Sequence, residues 1–410
     1  MKLPESLVRH GPAVTRRIFA CSSVALDYFR FLCVSLEPSA AQVIQVAAVS
    51  EDDYRRDARG SAGKRIRLRL RMYVGYPLQL VLSTCRARSG DVFIVTSNTF
   101  FAPMLVALFV RWRGVRVVHL LYDLFPDALE VSGSARTDGP LSRVLGLVTW
   151  ANQHFTDGTV YLGDFLRDYA ERRWGRTRRP GVVPIATDVR LYDDGLSCDA
   201  ASTVLAMHYG GQLGLMHDVA SLVESLRAVS IAGLLGYRVQ FEGLVSGARA
   251  AALEKAVGGM DGVKVGATLS SDAWRRHVEH FQLGIVTLSP GGATVCLPSK
   301  TYAMMAAGLA VVAICPAWSD LARLVEESGA GWVIDNAACP RPLDEVEYLP
   351  ACRSGRPAAE VANDFQALIA RLVDNPAEVS KCRSNAWHAV RERFSPAHIS
   401  EAWARYLRSL

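Results

Sequence analysis

Short apolar runs alternate with helical patterns along the whole of this 410-residue chain. Strands buried on both faces read as near-continuous apolar runs, and their alternation with helices marks parallel α/β layers. In the first half, residues 43–49, 91–96, 115–121, 158–162 and 181–185 are predicted strands. Residues 103–112, 141–155 and 164–173 are predicted helices, with Asp164 a candidate cap for the last. The polar stretch 188–200 breaks the pattern and reads as a linker and hinge. A second alternation follows, with strands at 204–209, 237–242, 263–265, 283–288, 310–315 and 331–334. Its helices fall at 217–235, 248–257, 271–280, 300–307 and 319–327, and residues 339–357 read as a Pro- and Arg-rich surface loop. Two Rossmann-like units follow from this pattern, and the length suits two domains of roughly 200 residues. The expected division is 1–190 and 200–395, with 396–410 a closing helix that packs back on the first domain. Ile399, Trp403, Tyr406 and Leu407 share one face of that helix and need a covering surface.

With 50% hydrophobic and 21% charged residues the chain is expected to be globular. Lys2, Glu5, Arg9 and His10 interrupt any apolar run at the start, so no secretory signal is expected. The uncharged runs 99–110 and 301–319 are respectively too short and too broken by Gly308 and Pro316 to span a bilayer. The nine cysteines are scattered singly, without CxxC or ligand-spaced His, which fits a reducing compartment and disfavours structural zinc. The net charge of +6 divides unevenly, about +10 in residues 1–190 and about −4 in the remainder. The first half therefore faces something anionic, nucleic acid or lipid, or simply carries a solvated basic surface. In the most basic stretch, 63–72, cations alternate with aliphatic residues and aromatic interleaving is sparse, which argues for a membrane surface over nucleic acid.

Two stretches carry chemistry. In HYGGQLGLMHD, from His208 to Asp218, a strand runs into Gly210, Gly211 and Gly214 and then into a helix. Glycine lets the backbone approach a phosphate at a helix N-terminus, and a plain tight turn also wants glycine. The stretch is not GxGxxG, so a nicotinamide site is disfavoured. In CLPSKTYAMMAAGLAVVA, Pro298, Ser299 and Lys300 open a helix whose dipole opposes the Lys300 charge. A cation there is explained by an anion beside it, the alternative being a solvated surface lysine.

Together these stretches resemble family 4 of the retaining glycosyltransferases, and look closest to the branch that builds bacterial surface polysaccharides. YSGNLG and PSKxYxxxAAGxPVxA patterns are usual in that branch. The segment VTSNTFFAPMLVALFVRWRGVRVVHLLYDLFPDALEVSG resembles the same branch's acceptor domain, with a DLYPD-like motif at Asp123–Asp127. Residues 1–90 match poorly, and the family's first strand and glycine loop find no place there.

The resemblance implies a GT-B fold, two Rossmann-like domains with parallel sheets facing across a cleft. It implies a nucleotide-sugar donor, UDP-linked by default, and a polyprenyl-linked or glycan acceptor. The protein is expected in the cytoplasm, peripheral on the inner face of the plasma membrane, with no cofactor and no nucleic-acid partner. By matching positions, Gly211, Gln212 and Gly214 lie against the diphosphate with His217 nearby, and Lys300 neutralises it. Pro298, Ser299 and Tyr302 sit near nucleotide or sugar, Gly243 and Gly266 flank the base, and Asn98 and Asp127 lie on the acceptor side. Asp123 lies in the cleft, where it orients the acceptor or sugar or else braces its loop.

Several positions depart from the family. Val295 and Ala303 stand where it carries two glutamates, His217 and Asp218 replace a basic residue, and Tyr122 replaces a cleft histidine. No DxD sequence is present to hold a divalent ion, so Lys300, the glycine turn and a helix N-terminus are expected to stabilise the leaving diphosphate without metal. The competing readings are a catalytically silent scaffold subunit of the same fold and a UDP-sugar 2-epimerase, for which no cleft constellation of carboxylates and His is evident.

Overall fold

The computed structural model describes residues 16–58, 60–192 and 204–410. The first of two six-stranded parallel sheets contains β1 (Arg17–Ala25), β2 (Gln42–Ser50), β3 (Val92–Thr96), β4 (Arg116–Leu121), β5 (Gly158–Tyr161) and β6 (Pro180–Val182). The second contains β7 (Leu205–Gln212), β8 (Val239–Ser246), β9 (Val263–Ala267), β10 (Leu283–Thr287), β11 (Ala310–Ile314) and β12 (Gly331–Ile334). Their orders are β2-β1-β3-β4-β5-β6 and β12-β11-β10-β7-β8-β9. β3, β10 and β11 are buried at every position, with helices over both faces, which is why they read as unbroken apolar runs. Strand order reverses at β1/β3 and at β7/β10, and a crevice opens outside the carboxyl ends of strands at such points.

The strand with no predicted counterpart, β1, lies centrally, in register with β2 and β3. Ser22 and Ser23 are fully buried within it and cut its apolar run, and the turn after it carries Leu26 and Asp27 instead of glycine. β7 runs three residues past its predicted end because Gly210, Gly211 and Gln212 stay paired with Leu244, Val245 and Ser246 of β8. The predicted loop 339–357 contains a helix, Tyr348–Arg353. Of the predicted linker, Val189–Leu191 forms one 3-10 turn, and residues 193–203 lie outside the described residues.

Asp164 does not cap its helix. Gly163 holds the cap position of Asp164–Trp174, and the free N–H groups of Phe165 and Leu166 donate to the Asp320 carboxylate of the other domain, at 3.0 and 2.9 Å. A Cβ on Gly163 would collide with that carboxylate, so glycine is required for the approach. One apolar cluster joins the helix Asp27–Leu36, Tyr169 and Ile185 to Met304, Tyr302 and Val390 across the domain boundary.

The closing helix Pro396–Arg408 packs on Asp27–Leu36 with Ile399, Trp403, Tyr406 and Leu407 buried. The Tyr406 hydroxyl donates to the Arg179 carbonyl at 3.0 Å. Tyr406→Phe keeps the ring and leaves that carbonyl unpaired, so a loss of about 1 kcal/mol in urea unfolding is expected. An unfolding midpoint equal to the parent's would mean water replaces the bond without cost.

The opposite face of the first sheet carries the helices Ala62–Leu70, Tyr76–Cys85, Ala102–Val110 and Pro140–Phe155. Their inward residues, among them Tyr76, Leu80 and Val106, are buried. Their outward positions are also apolar: Ile66, Leu70, Val74, Leu78 and Leu82 recur every fourth residue and all are exposed.

Candidate functional site

The carboxyl end of β7 forms one wall of the interdomain crevice. Gly211 has φ +94°, in the left-handed region open to glycine, and the space where a Cβ would stand is empty. A Cβ on Gly210 would meet the Trp274 indole nitrogen at 2.8 Å and His208 Nε2 at 2.9 Å. The Gly214 N–H donates to His217 Nδ1 at 3.0 Å, and burial, helped by the Lys300 charge, pushes His217 down to about 3. A neutral His217 braces the turn and supplies no cation there. Asp218 caps the helix Val219–Ile231 by accepting from the Ser221 N–H at 3.0 Å, and also accepts from Asn336 at 2.8 Å.

Lys300 begins the helix Lys300–Ala306, preceded by half-buried Pro298 and exposed Ser299, which makes no side-chain cap bond. The ammonium donates to the Tyr209 hydroxyl at 2.6 Å and to the Gln212 carbonyl at 3.3 Å, and lies 3.9 Å from the Tyr209 ring centroid. This joins the glycine turn and the PSK segment in one site, although 88 residues separate Gln212 from Lys300. Among the described residues no carboxylate pairs with Lys300, and burial pulls its ammonium down to about 7. This wall holds a half-buried cation beside a glycine turn, with no carboxylate bonded to the cation among the described residues.

The loop after β4 forms the facing wall. The Ser97 hydroxyl accepts the N–H groups of Tyr122 and Asp123 at 3.0 and 2.9 Å, and the Leu124 N–H donates across the crevice to the Val295 carbonyl at 3.0 Å. Burial raises the Asp123 carboxyl to about 6. Cys296 lies within the field of both charges; burial pushes its thiol up, Asp123 adds to the shift and Lys300 opposes it. Asn98, at the β1/β3 switch point, donates to the Ser22 hydroxyl at 3.2 Å and the Tyr28 hydroxyl at 3.3 Å. The Asp123 charge also raises Tyr28 and Tyr54, after the larger effect of burial. Neither tyrosine was expected in the site, and a single tyrosine in a poorly patterned stretch gives no sequence signal. Across the crevice mouth the Asp27 carboxylate accepts from the Ser271 hydroxyl at 3.3 Å, and Arg55 donates to the same hydroxyl at 3.1 Å.

Two expected site residues, Asp127 and Tyr302, lie elsewhere. Asp127 is fully buried, bonded to the Tyr169 hydroxyl at 2.6 Å and the Trp174 indole at 2.7 Å, with the Arg173 guanidinium at 3.1 Å. It is an internal charge and not an acceptor-side group. Tyr302 is 2% exposed, edge-on to Phe394, because its helix turns that position into the domain interface. Gly243 lies inside β8, paired with Tyr209, and a Cβ there would make only ordinary contacts with Phe241 and Leu253. Gly266 lies near the end of β9, exposed and paired with Leu244, which pairs in turn with Gly210, so it stays level with the glycine turn.

Behind Gly210 is a cluster that the sequence reading missed. The Trp274 indole donates to His208 Nε2 at 2.9 Å, His208 Nδ1 is 4.0 Å from Glu242, and Glu242 also holds His277. His208 is fully buried and held down to about 4, chiefly by desolvation.

No protein-family model matches the chain. A curated protein of Pseudomonas aeruginosa, the probable glycosyltransferase WbjE, is 22% identical over 288 residues, 64% of this chain and 68% of that one. Among solved structures, HepE of Anabaena in complex with UDP and glucose superposes with a TM-score of 0.64 at 14% identity, over 97% of this chain and all of that one. Sucrose-phosphate synthase of Thermosynechococcus elongatus superposes at 0.63 with 13% identity, over 96% of this chain and 98% of its own. A UDP-forming α,α-trehalose-phosphate synthase of Burkholderia vietnamiensis gives 0.60 at 15%, over 97% and 98%. At these identities the likeness is one of fold, and the chain has the GT-B architecture, two Rossmann-like domains whose sheets meet at a crevice.

Proposed function

We propose that this chain is a retaining glycosyltransferase of family 4 that moves a hexose from UDP to a lipid-linked or polysaccharide acceptor in cell-surface polysaccharide biosynthesis. The observation that carries the reading is Lys300, a half-buried ammonium without a carboxylate partner among the described residues, at a helix start beside an open glycine turn. The relatives add to it, since WbjE is described as a probable glycosyltransferase and HepE holds UDP and glucose.

Breaking the sugar–phosphate bond leaves growing negative charge on the diphosphate. In this proposal Lys300, protonated when the anion arrives, opposes that charge in a partly dry site. Asp123, on the facing wall, accepts a hydrogen bond from the acceptor hydroxyl and fixes its approach. We also place the protein in the cytoplasm, at the inner face of the plasma membrane, on the strength of the +10 charge of its first half.

Thermal unfolding with and without UDP tests the donor site. A ligand at 100 times its Kd adds about 2.7 kcal/mol of stability, so a clear rise in melting temperature is expected with UDP and a smaller one with GDP. Release of UDP from UDP-sugars separates an enzyme from a silent scaffold. No stabilisation by any nucleoside diphosphate would remove the donor site, and stabilisation without release of UDP would favour the scaffold.

A further inference from the structure

Thirteen of the twenty large apolar side chains exposed among the described residues lie in one place. They stand on the outward face of residues 62–85, 102–113 and 140–155, adjoining helices on one side of the first sheet. A monomer rarely leaves so many neighbouring apolar groups uncovered without using them. The same segments carry eight Lys and Arg residues and not one Asp or Glu.

At the rim of this face a pocket of about 170 Å³ is lined by Arg111, Arg116, Arg178, Phe155 and Asp157, among others. Arg116 is paired with Asp157 at 2.9 Å. Arg111 lies 5.8 Å from the centroid of the Phe155 ring, and neither Arg111 nor Arg178 has a carboxylate partner among the described residues. The pocket joins the apolar face through Trp150, edge-on to Phe155 at 6.2 Å, and through Trp112, which is 76% exposed and adjacent to Arg111.

We propose that this face inserts into the surface of an anionic phospholipid bilayer, with a lipid phosphate held in the pocket between Arg111 and Arg178. The inference deepens the reading that the protein works at a membrane, and assigns the surface and the contact. Exposed leucines enter the acyl boundary, Trp112 and Trp150 take the headgroup level, and the guanidiniums meet phosphate. A second copy of the chain fits the same face poorly, because an isologous contact sets like charge against like with no acid to relieve it. Nucleic acid fits poorly too, because the outward side chains are mostly aliphatic and offer few stacking faces. No helix among the described residues is long and apolar enough to cross a membrane, so the attachment is to one leaflet.

The test is co-sedimentation of the full chain with vesicles of phosphatidylcholine alone and of phosphatidylcholine mixed with phosphatidylglycerol. Leu78→Glu with Leu82→Glu is expected to weaken binding to the mixed vesicles by on the order of 100-fold. Arg111→Gln with Arg178→Gln is expected to cost roughly 30-fold on mixed vesicles and little on neutral ones. Protection of the parent by millimolar inorganic phosphate, without parental binding to either vesicle, would overturn the proposal in favour of a site for free phosphate. A concentration-dependent dimer dispersed by the leucine substitutions, without vesicle binding by the parent, would overturn the proposal in favour of self-association. Parental binding by both variants would also overturn it. Circular dichroism and UDP stabilisation are measured on every variant, so loss of fold and loss of the donor site are each distinguished from loss of the membrane contact.

Discussion

Lys300→Ala is expected to weaken UDP binding roughly 10- to 100-fold while the protein melts at or above the parental temperature. No carboxylate among the described residues pairs with the ammonium, and burial holds it at about 7, well below an ordinary lysine. From about pH 7 to 10.5 the unfolded chain keeps a proton here that the folded protein has lost, so this lysine opposes folding most below pH 7 and less as pH rises. Parental stability should therefore climb with pH through that window relative to Lys300→Ala, by less than full burial implies because the group is partly solvated. An arriving diphosphate reverses the balance and recharges the amine. UDP binding should take up a proton, and its affinity should fall as pH rises above about 7. Titration calorimetry near pH 8 in two buffers of different ionisation enthalpy reads this uptake directly. Turnover should fall along with affinity, since the leaving diphosphate gains charge in the transition state. A variant that melts like the parent and binds UDP with parental affinity and no change in proton uptake would put the donor elsewhere.

Asp127→Ala is expected to cost about 3–5 kcal/mol of stability, among the largest losses any single substitution here should produce. Its carboxylate and that of Glu130 share two guanidiniums, one from each domain. Arg173 is 3.1 Å from Asp127 and 2.8 Å from Glu130, and Arg353 reaches Glu130 at 2.6 Å. Both carboxylate side chains are fully buried, and desolvation pushes Asp127 above the usual carboxylate range against the pull of Arg173. Removing Asp127 leaves Arg173, 4% exposed, to Glu130 and to Asp138 at 3.2 Å, and strips the buried Tyr169 hydroxyl and the Trp174 indole of their acceptor. Asp127→Asn preserves the volume and, through its single oxygen, one of the two accepted bonds, to Tyr169 or to Trp174, and should cost less. Urea unfolding measures both, and UDP binding by the folded variants should match the parent's because the cluster stands apart from Lys300. A cost below about 1 kcal/mol for the alanine variant would mean that water or a rearranged Glu130 serves Arg173 equally well.

Most of the sheet architecture was legible because a strand buried on both faces has to be apolar along its length, as Val92–Thr96 and Ala310–Ile314 are. β1 escaped because small polar residues fit a crowded central strand; the Ser22 hydroxyl bonds to the Val24 carbonyl without leaving the chain, so burial there needs no apolar residue. The glycine turn and Lys300 were readable as separate oddities, a run of small residues and a cation at the wrong end of a helix. That the two form one site was decided by the reversal of strand order at β7/β10, which sets Gln212 against Lys300. Asp127 and Tyr302 went the other way. Each sits in a motif that pointed to the cleft, and each is drawn into the interior by partners distant in sequence, Trp174 and Arg353 for one and Phe394 for the other. Sequence determines which segments must be buried, because hydrophobicity and backbone propensity are local. The tertiary structure alone decides which charges meet, because coulombic and hydrogen-bond partners are chosen by proximity, and proximity between residues 127 and 353 is written nowhere in the chain between them.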